Sequence, residues 1–211
     1  MFWRPLSIAF LLVFGCQTMA AEVKWLKVKR KEGRIDITAE VVIDAPPPEV
    51  YDALLDYDQL AELSKAFTES RYIEPDADGT PRVYTKIEGC VWFFCRTVER
   101  YARLELKPQW QITAIAEPKL SDADLSIESW TLRQDGDSTL IDYSLEFEPG
   151  FWVPPLIGVW VIKGTMKRGS RDTAIRIEAL AIANLAKKGS HEPGAAAIPL
   201  SADGSGENTN K

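Results

Sequence analysis

Histidine and cysteine are scarce in this 211-residue sequence, which contains a single histidine, His191, and three cysteines. His191 lies in a C-terminal segment of Gly, Ser, Asn and Ala without periodicity, and we predict a disordered tail over 189–211. Imidazole is the usual general base at neutral pH, so its absence from the rest of the chain argues against histidine-dependent catalysis. We therefore assign no catalytic residues.

Phosphate-binding and metal-binding motifs are missing as well. Neither GxGxxG nor GxxxxGK occurs, and Cys90 with Cys95 supplies too few ligands for a metal. We predict no cofactor and no metal. The formal net charge of -6 makes the chain a poor binder of nucleic acid, so we expect no nucleic-acid partner.

No apolar run is long enough to be a clear membrane span. The run from Leu6 to Phe14 follows Arg4 and covers about half of the roughly twenty residues that a bilayer crossing needs. Small residues at Thr18 and Ala20 complete the pattern of a signal peptide over 1–20. This pattern favours export to the periplasm over an uncleaved N-terminal anchor or a lipid attached at Cys16.

The two remaining cysteines flank a short apolar segment. Cys90 and Cys95 stand on either side of the sequence VWFF, which fits the tip of a β-hairpin. In an oxidising compartment such a pair can form a disulfide across the tip. Two free buried thiols remain the alternative.

Alternating and helical patterns place one α+β domain over 21–188. The segment 22–30 is typical of a strand, and alternate apolar residues from Ile35 to Ile43 predict a second strand with one buried face. Prolines then fix a helix start near Pro47, with Val50, Tyr51 and Leu54 inward, and a second short helix follows over 59–65.

The rest of the domain predicts an antiparallel meander followed by a long helix. Five strand-like runs cover 82–89, 94–106, 110–118, 125–134 and 139–149. A helical pattern of about thirty residues begins at Pro154 and ends before Gly189.

This order of elements resembles the START-like (helix-grip) superfamily, in particular its polyketide cyclase and coenzyme Q-binding branch. The stretch 41–63, VVIDAPPPEVYDALLDYDQLAEL, looks like the family's early strand and paired helices. The stretch 147–181 looks like its last strand running into the long final helix. The resemblance implies a curved antiparallel sheet wrapped around that helix.

The resemblance also implies a cavity for a hydrophobic small molecule, such as a lipid, an isoprenoid or quinone, or a polyketide. Carried over to this sequence, the predicted cavity residues lie on the last strand and the final helix: Ile141, Tyr143, Leu145, Phe147, Trp160 and Gly164. We predict binding or transfer of such a molecule rather than its chemical conversion.

Two alternatives remain open. An aromatase or cyclase could use an inward acid together with Tyr143, although a solvated outer sheet face is the favoured interpretation of the strand carboxylates, which are Glu88, Glu99, Glu128, Asp142 and Glu146. An exported protein-interaction module is the other alternative. The sequence leaves the oligomeric state undetermined.

Two apolar segments invite a further hypothesis. Trp92, Phe93, Phe94 and Trp152 could border the cavity mouth and contact a membrane, or they could pack on each other as core. Five basic residues follow along the final helix and could attract anionic lipid or simply solvate its outer face: Lys163, Lys167, Arg168, Arg171 and Arg176.

Overall fold

A computed structural model describes residues 21–91, 94–154, 157 and 159–190. The elements in chain order are β1 (Glu22–Lys31), β2 (Arg34–Ile43), α1 (Pro47–Leu55), α2 (Leu60–Leu63), β3 (Phe67–Ile73), β4 (Arg82–Val91), β5 (Phe94–Lys107), β6 (Gln111–Ala116), β7 (Ala123–Asp135), β8 (Ser138–Pro149) and α3 (Val159–Ser190). The predicted signal peptide and the tail from 191 onward lie outside the described residues.

The strands form one eight-stranded antiparallel sheet in the order β1-β2-β8-β7-β6-β5-β4-β3. Pairing of β2 with β8 brings the N-terminal hairpin beside the last strand, and the α+β architecture is confirmed. The predicted meander lacked β3, which pairs with β4 at the sheet edge. An edge strand with largely exposed side chains carries little of the alternation that reveals a half-buried strand.

The prolines set the start of α1 as predicted. Pro46 is extended and caps the helix, and Pro47 begins it at a position where a missing N–H costs nothing. Val50, Tyr51 and Leu54 are buried, which confirms their inward orientation. Thr139 donates a hydrogen bond of 2.7 Å to the carbonyl of Ala45 and so ties the approach to α1 onto β8.

One half of the inner sheet face is sealed by helices. Ile43, Ile112, Leu132 and Ile141 form a buried cluster with residues of α1 and with the C-terminal half of α3, which contributes Ala174, Ile177 and Ala181. This cluster holds α3 across the sheet. The end of the helix is fixed to α1 by Lys188, whose Nζ donates to Asp52 Oδ2 at 2.8 Å.

The final helix starts five residues later than predicted, at Val159 instead of Pro154. Before the helix, Ile157 N donates to Pro154 O at 3.0 Å. The guanidinium of Arg30 donates to the Ile157 carbonyl at 2.8 Å, so Ile157 is tied to β1. Within the described residues, no helix combines the length and apolar character needed to cross a bilayer.

Candidate functional site

Strand register brings the predicted wall residues of β8 to the middle of the inner face. Tyr143 lies opposite Ala39 of β2 and Trp130 of β7, and Leu145 lies opposite Ile37 and Glu128. Side chains at alternate positions share a face, so these neighbours line the same surface.

The apolar wall on β8 is fully buried at one end and only half-buried along the rest. Ile141 is buried in the sealed cluster next to α1. Tyr143, Leu145 and Phe147 are only half-buried. Like Val159, Ile162 and Met166 from the first turns of α3, they pack against a buried cluster of β1 and β2 residues. The half-buried part, formed by Tyr143, Leu145 and Phe147 on the inner sheet face, is the candidate ligand surface.

Two predicted cavity residues on α3 do not face this surface. Trp160 is 78 % exposed, which corrects its assignment to the cavity wall. Gly164 stands two residues from both Ile162 and Met166, about 200° around the helix from each, and thus on the side turned away from the sheet. A Cβ at Gly164 would meet no atom within 4 Å, so close sheet contact does not require this glycine.

A polar cluster interrupts the apolar inner face. Arg100 of β5 donates from Nη1 to Glu128 Oε2 at 2.7 Å, and Tyr143 donates from its hydroxyl to Glu128 Oε1 at 2.9 Å. Arg100 also donates from Nη2 to the Ala114 carbonyl at 3.2 Å. Both oxygens of the Glu128 carboxylate are therefore held by donors.

Sequence reasoning missed Arg100 and favoured an outward position for Glu128, which is a second correction. The other four strand carboxylates do alternate onto the outer face: Glu88, Glu99, Asp142 and Glu146. Glu128 shares its parity with Trp130 and Leu132, and Arg100 shares its parity with Leu104. Strand parity was the signal that could have found both residues.

Burial sets the protonation states in this cluster. Burial, and secondarily the negative charge of Glu128, raises the pKa of Tyr143 well above its usual value. Burial also opposes the charge of Arg100, but the Glu128 carboxylate together with Tyr57 and Tyr143 outweighs it, and the pKa of Arg100 rises. Tyr143 is thus a neutral hydrogen-bond donor and Arg100 a permanent cation.

One donor of Arg100 has no partner. The residue is 6 % exposed, and its Nε is the buried side-chain atom without a hydrogen bond among the described residues. A buried unsatisfied donor costs about 1–3 kcal/mol, so an acceptor that reached it would be favourable.

The rim of the surface joins two segments that the sequence singled out. The guanidinium of Arg96 lies 5.1 Å from the ring centroid of Phe94 and 5.4 Å from that of Phe151, which links the β4–β5 hairpin to the loop before α3. In the same loop Trp152 is 69 % exposed. Trp92 and Phe93 lie outside the described residues.

The hairpin carries a disulfide. Cys90 and Cys95 are register partners on β4 and β5, and their sulfurs are bonded at 2.03 Å.

Beside the rim, the β1–β2 turn and the loop before α3 enclose a shallow groove of about 260 Å³. Its lining residues are Arg30, Gly33, Glu148, Pro149, Phe151, Trp152 and Val153. Among the residues that the structure describes, no group of three or more His, Cys, Asp or Glu side chains could hold a metal ion.

A curved antiparallel sheet covered on its inner face by one long helix is the helix-grip fold. In this chain the inner face also carries the buried polar cluster. The family described as polyketide cyclase / dehydrase and lipid transport matches residues 34–181, and the chain belongs to this family. The START-like resemblance is thereby confirmed. No curated protein sequence matches the chain.

Solved structures share the fold. A START superfamily protein from Mycobacterium smegmatis matches with a TM-score of 0.56 at 15% identity, covering 69% of this chain and 98% of its own. The Zhui aromatase/cyclase from Streptomyces matches with a TM-score of 0.56 at 14% identity, covering 72% and 96%. A STAR-related lipid transfer protein from Xanthomonas axonopodis matches with a TM-score of 0.54 at 15% identity, covering 72% and 98%.

Proposed function

We propose that the chain binds or transfers a hydrophobic small molecule that carries an acceptor oxygen. The molecule lies on the inner sheet face beneath the first turns of α3, along Tyr143, Leu145 and Phe147. The observation that carries this proposal is the buried, unpaired Nε of Arg100, whose guanidinium is linked through Glu128 to Tyr143 of the half-buried wall. Ligand sites typically combine apolar walls with a few convergent polar groups.

The energetics favour a long apolar ligand with a polar end. Each methylene buried on the wall contributes about 0.8 kcal/mol. An oxygen that accepts from Arg100 Nε relieves an unsatisfied donor. Prenylated quinones, fatty acids and polyketides meet both conditions, and the family description covers polyketide chemistry and lipid transport.

Binding is favoured over turnover because the polar groups are already engaged. Glu128 accepts hydrogen bonds from Arg100 and Tyr143, one at each carboxylate oxygen, so both oxygens are already held by donors. The raised pKa of Tyr143 keeps its proton in place. A cyclase would need to break this cluster when the substrate enters.

We also propose that the protein works in the periplasm after export. The disulfide between Cys90 and Cys95 supports an oxidising compartment, where such bonds persist.

Native mass spectrometry of the chain purified from its own host tests the proposal directly. We expect an apolar molecule with at least one oxygen to remain bound in gentle ionisation and to be identified after extraction. Empty protein is then mixed with a prenylated quinone, a fatty acid or a polyketide. The proposal is contradicted if the protein is empty in every preparation and binds none of the three.

Substitutions on neighbouring positions of β8 locate the surface. Leu145→Trp fills the inner face and should weaken binding at least about tenfold, because it occupies the volume that the ligand needs. Ser144→Trp places the same ring on the outer face and should leave affinity unchanged. Equal affinities for the two variants would place the ligand elsewhere.

Arg100→Lys tests the polar anchor. Lysine keeps the charge but removes Nε, so the preference for a prenylated quinone over its oxygen-free hydrocarbon analogue should fall about tenfold. Arg103→Lys on the same strand, at an exposed position, is the matched control. An unchanged preference in Arg100→Lys, with folding verified by circular dichroism, rules out the anchor while leaving apolar binding intact.

The enzymatic alternative rests on the contact between Glu128 and Tyr143. Incubation with linear polyketide precursors would produce cyclised or aromatised products if it holds, and Tyr143→Phe would abolish them. Stoichiometric binding without product, followed by mass spectrometry, supports the binding function.

A further inference from the structure

Two tryptophans project into solvent where the chain enters α3. Trp152 is 69 % exposed in the preceding loop, and Trp160 is 78 % exposed in the first turn of the helix. Exposed apolar patches on a protein surface mark sites that contact membranes or partners. Neither ring is used by the ligand surface beneath the helix.

Trp160 begins a basic stripe on α3 that continues through Lys163, Lys167 and Arg171. The spacings of three, seven and eleven residues place these four side chains on one helical face. The three cations are exposed, as is Arg168 beside them. No Asp or Glu occurs between Val159 and Arg171, although the chain as a whole carries a net charge of -6.

The cations of the basic stripe have no structural partner. Among the described residues, none of them takes part in an ion pair or a side-chain hydrogen bond. Cations further along α3 behave differently, since Arg176 donates to the Glu62 carbonyl and Lys188 pairs with Glu49 and Asp52. The cations in the N-terminal half of the helix are therefore available to an external partner.

We propose that the basic stripe, with Trp152, is a docking surface for an anionic lipid bilayer. Tryptophan prefers the membrane interface, and lysine and arginine next to it attract anionic headgroups. An acidic protein could satisfy the cations, but two exposed indoles beside a helical row of cations match the interface of a membrane better. The surface lies on the outer side of the helix that covers the proposed ligand surface, so it goes beyond ligand binding itself.

Vesicle co-sedimentation with the chain as purified from its host tests the surface. We expect stronger partitioning onto vesicles of phosphatidylcholine with phosphatidylglycerol than onto phosphatidylcholine alone, and weaker partitioning as salt is raised. Each cation near the surface contributes about fivefold, so Lys167→Gln with Arg171→Gln should lower partitioning at least about tenfold. Lys24→Gln with Lys107→Gln makes the same charge change at the opposite end of the sheet and should have little effect.

The tryptophans are tested in the same assay. Trp152→Ala with Trp160→Ala should lower partitioning at least about tenfold, whereas Trp110→Ala, at a 50 % exposed tryptophan of the β5–β6 turn, should not. Thermal unfolding confirms that each variant is folded. Equal partitioning onto both vesicle types, or site variants that match their controls, overturns the proposal. So does an absence of vesicle binding together with capture of an acidic protein by the same residues.

Discussion

Arg100 and Glu128 form a buried ion pair, to which the half-buried Tyr143 donates a hydrogen bond. Removing an ion pair from water has a desolvation cost that its attraction often fails to recover, so such a pair is a weak source of stability. Arg100 still leaves one donor unused. This unused donor is the reason that the cluster is part of the proposed ligand site.

Glu128→Leu should destabilise the fold strongly, although the intact ion pair adds little to stability. The substitution leaves the Arg100 charge buried without a partner, at a cost of about 3–5 kcal/mol in the free energy of unfolding. Combining it with Arg100→Met removes that charge and should restore stability to within about 1 kcal/mol of the wild type. Urea unfolding of both variants measures this. A double variant as unstable as Glu128→Leu would show that the pair itself supports the fold.

Tyr143 makes stability depend on alkaline pH. Burial and the Glu128 charge raise its pKa in the folded state, so its contribution is complete below about pH 10 and is lost as pH rises through the raised value. Between pH 10 and 11 one such tyrosine lowers the free energy of unfolding by about 1 kcal/mol. Tyr143→Phe should be less stable at pH 8, with a gap to the wild type that narrows above pH 10.

Urea unfolding at several pH values gives this comparison, with Ser144→Ala as a variant that has no titrating group. A gap that stays constant from pH 8 to pH 11 would mean that the Tyr143 hydroxyl titrates equally in the folded and unfolded chains.

At the level of elements, the β4–β5 hairpin and the loop before α3 act as one unit. Arg96 contacts the ring of Phe94 on one element and that of Phe151 on the other. The disulfide holds the hairpin end from which Arg96 extends. These contacts position the rim beside the first turn of α3.

Arg96→Gln should release this unit without unfolding the domain. A cation–π contact contributes about 0.5–1 kcal/mol, so global stability should change little. Amide hydrogen exchange should become faster in the loop around Phe151 and Val153, because its link to the hairpin is lost. Arg103→Gln, at an exposed ion pair elsewhere on β5, is the control. Unaltered exchange in the loop would show that other contacts hold it.

Much of this element structure could be predicted from sequence, for physical reasons. The prolines before α1 and the alternation in β2 and β8 encode their structures locally, and those elements were confirmed. The edge strand β3 and the start of α3 depend on tertiary contacts, the second through the hydrogen bond from Arg30 to Ile157. The polar cluster was not predicted, because Arg100 and Glu128 are charged residues that usually face solvent. Only the strand register shows that they share a face with apolar residues.

For the whole molecule, α3 divides into two halves with different roles. Its C-terminal half is built into the core through Ala174, Ile177 and Ala181. Its N-terminal half packs on β1 and β2 through the partly buried Val159, Ile162 and Met166 and carries the exposed basic stripe. The helix thus joins an end built into the core to an end that lies at both proposed surfaces, the one for ligand and the one for lipid.

Truncating one side chain in each half should separate these roles. Ile177 is 8 % exposed and lies in the core. Ile177→Ala should lower the free energy of unfolding by about 2–4 kcal/mol, because the change leaves a cavity. Met166→Ala, on the half-buried side, should cost about 1 kcal/mol or less, since less packed surface is lost. Urea unfolding compares the two, and hydrogen exchange should show the first turns of α3 opening before Ala174 and Ala181. Equal costs and uniform exchange along the helix would mean that α3 is anchored evenly, and entry of a ligand would then require the whole helix to move.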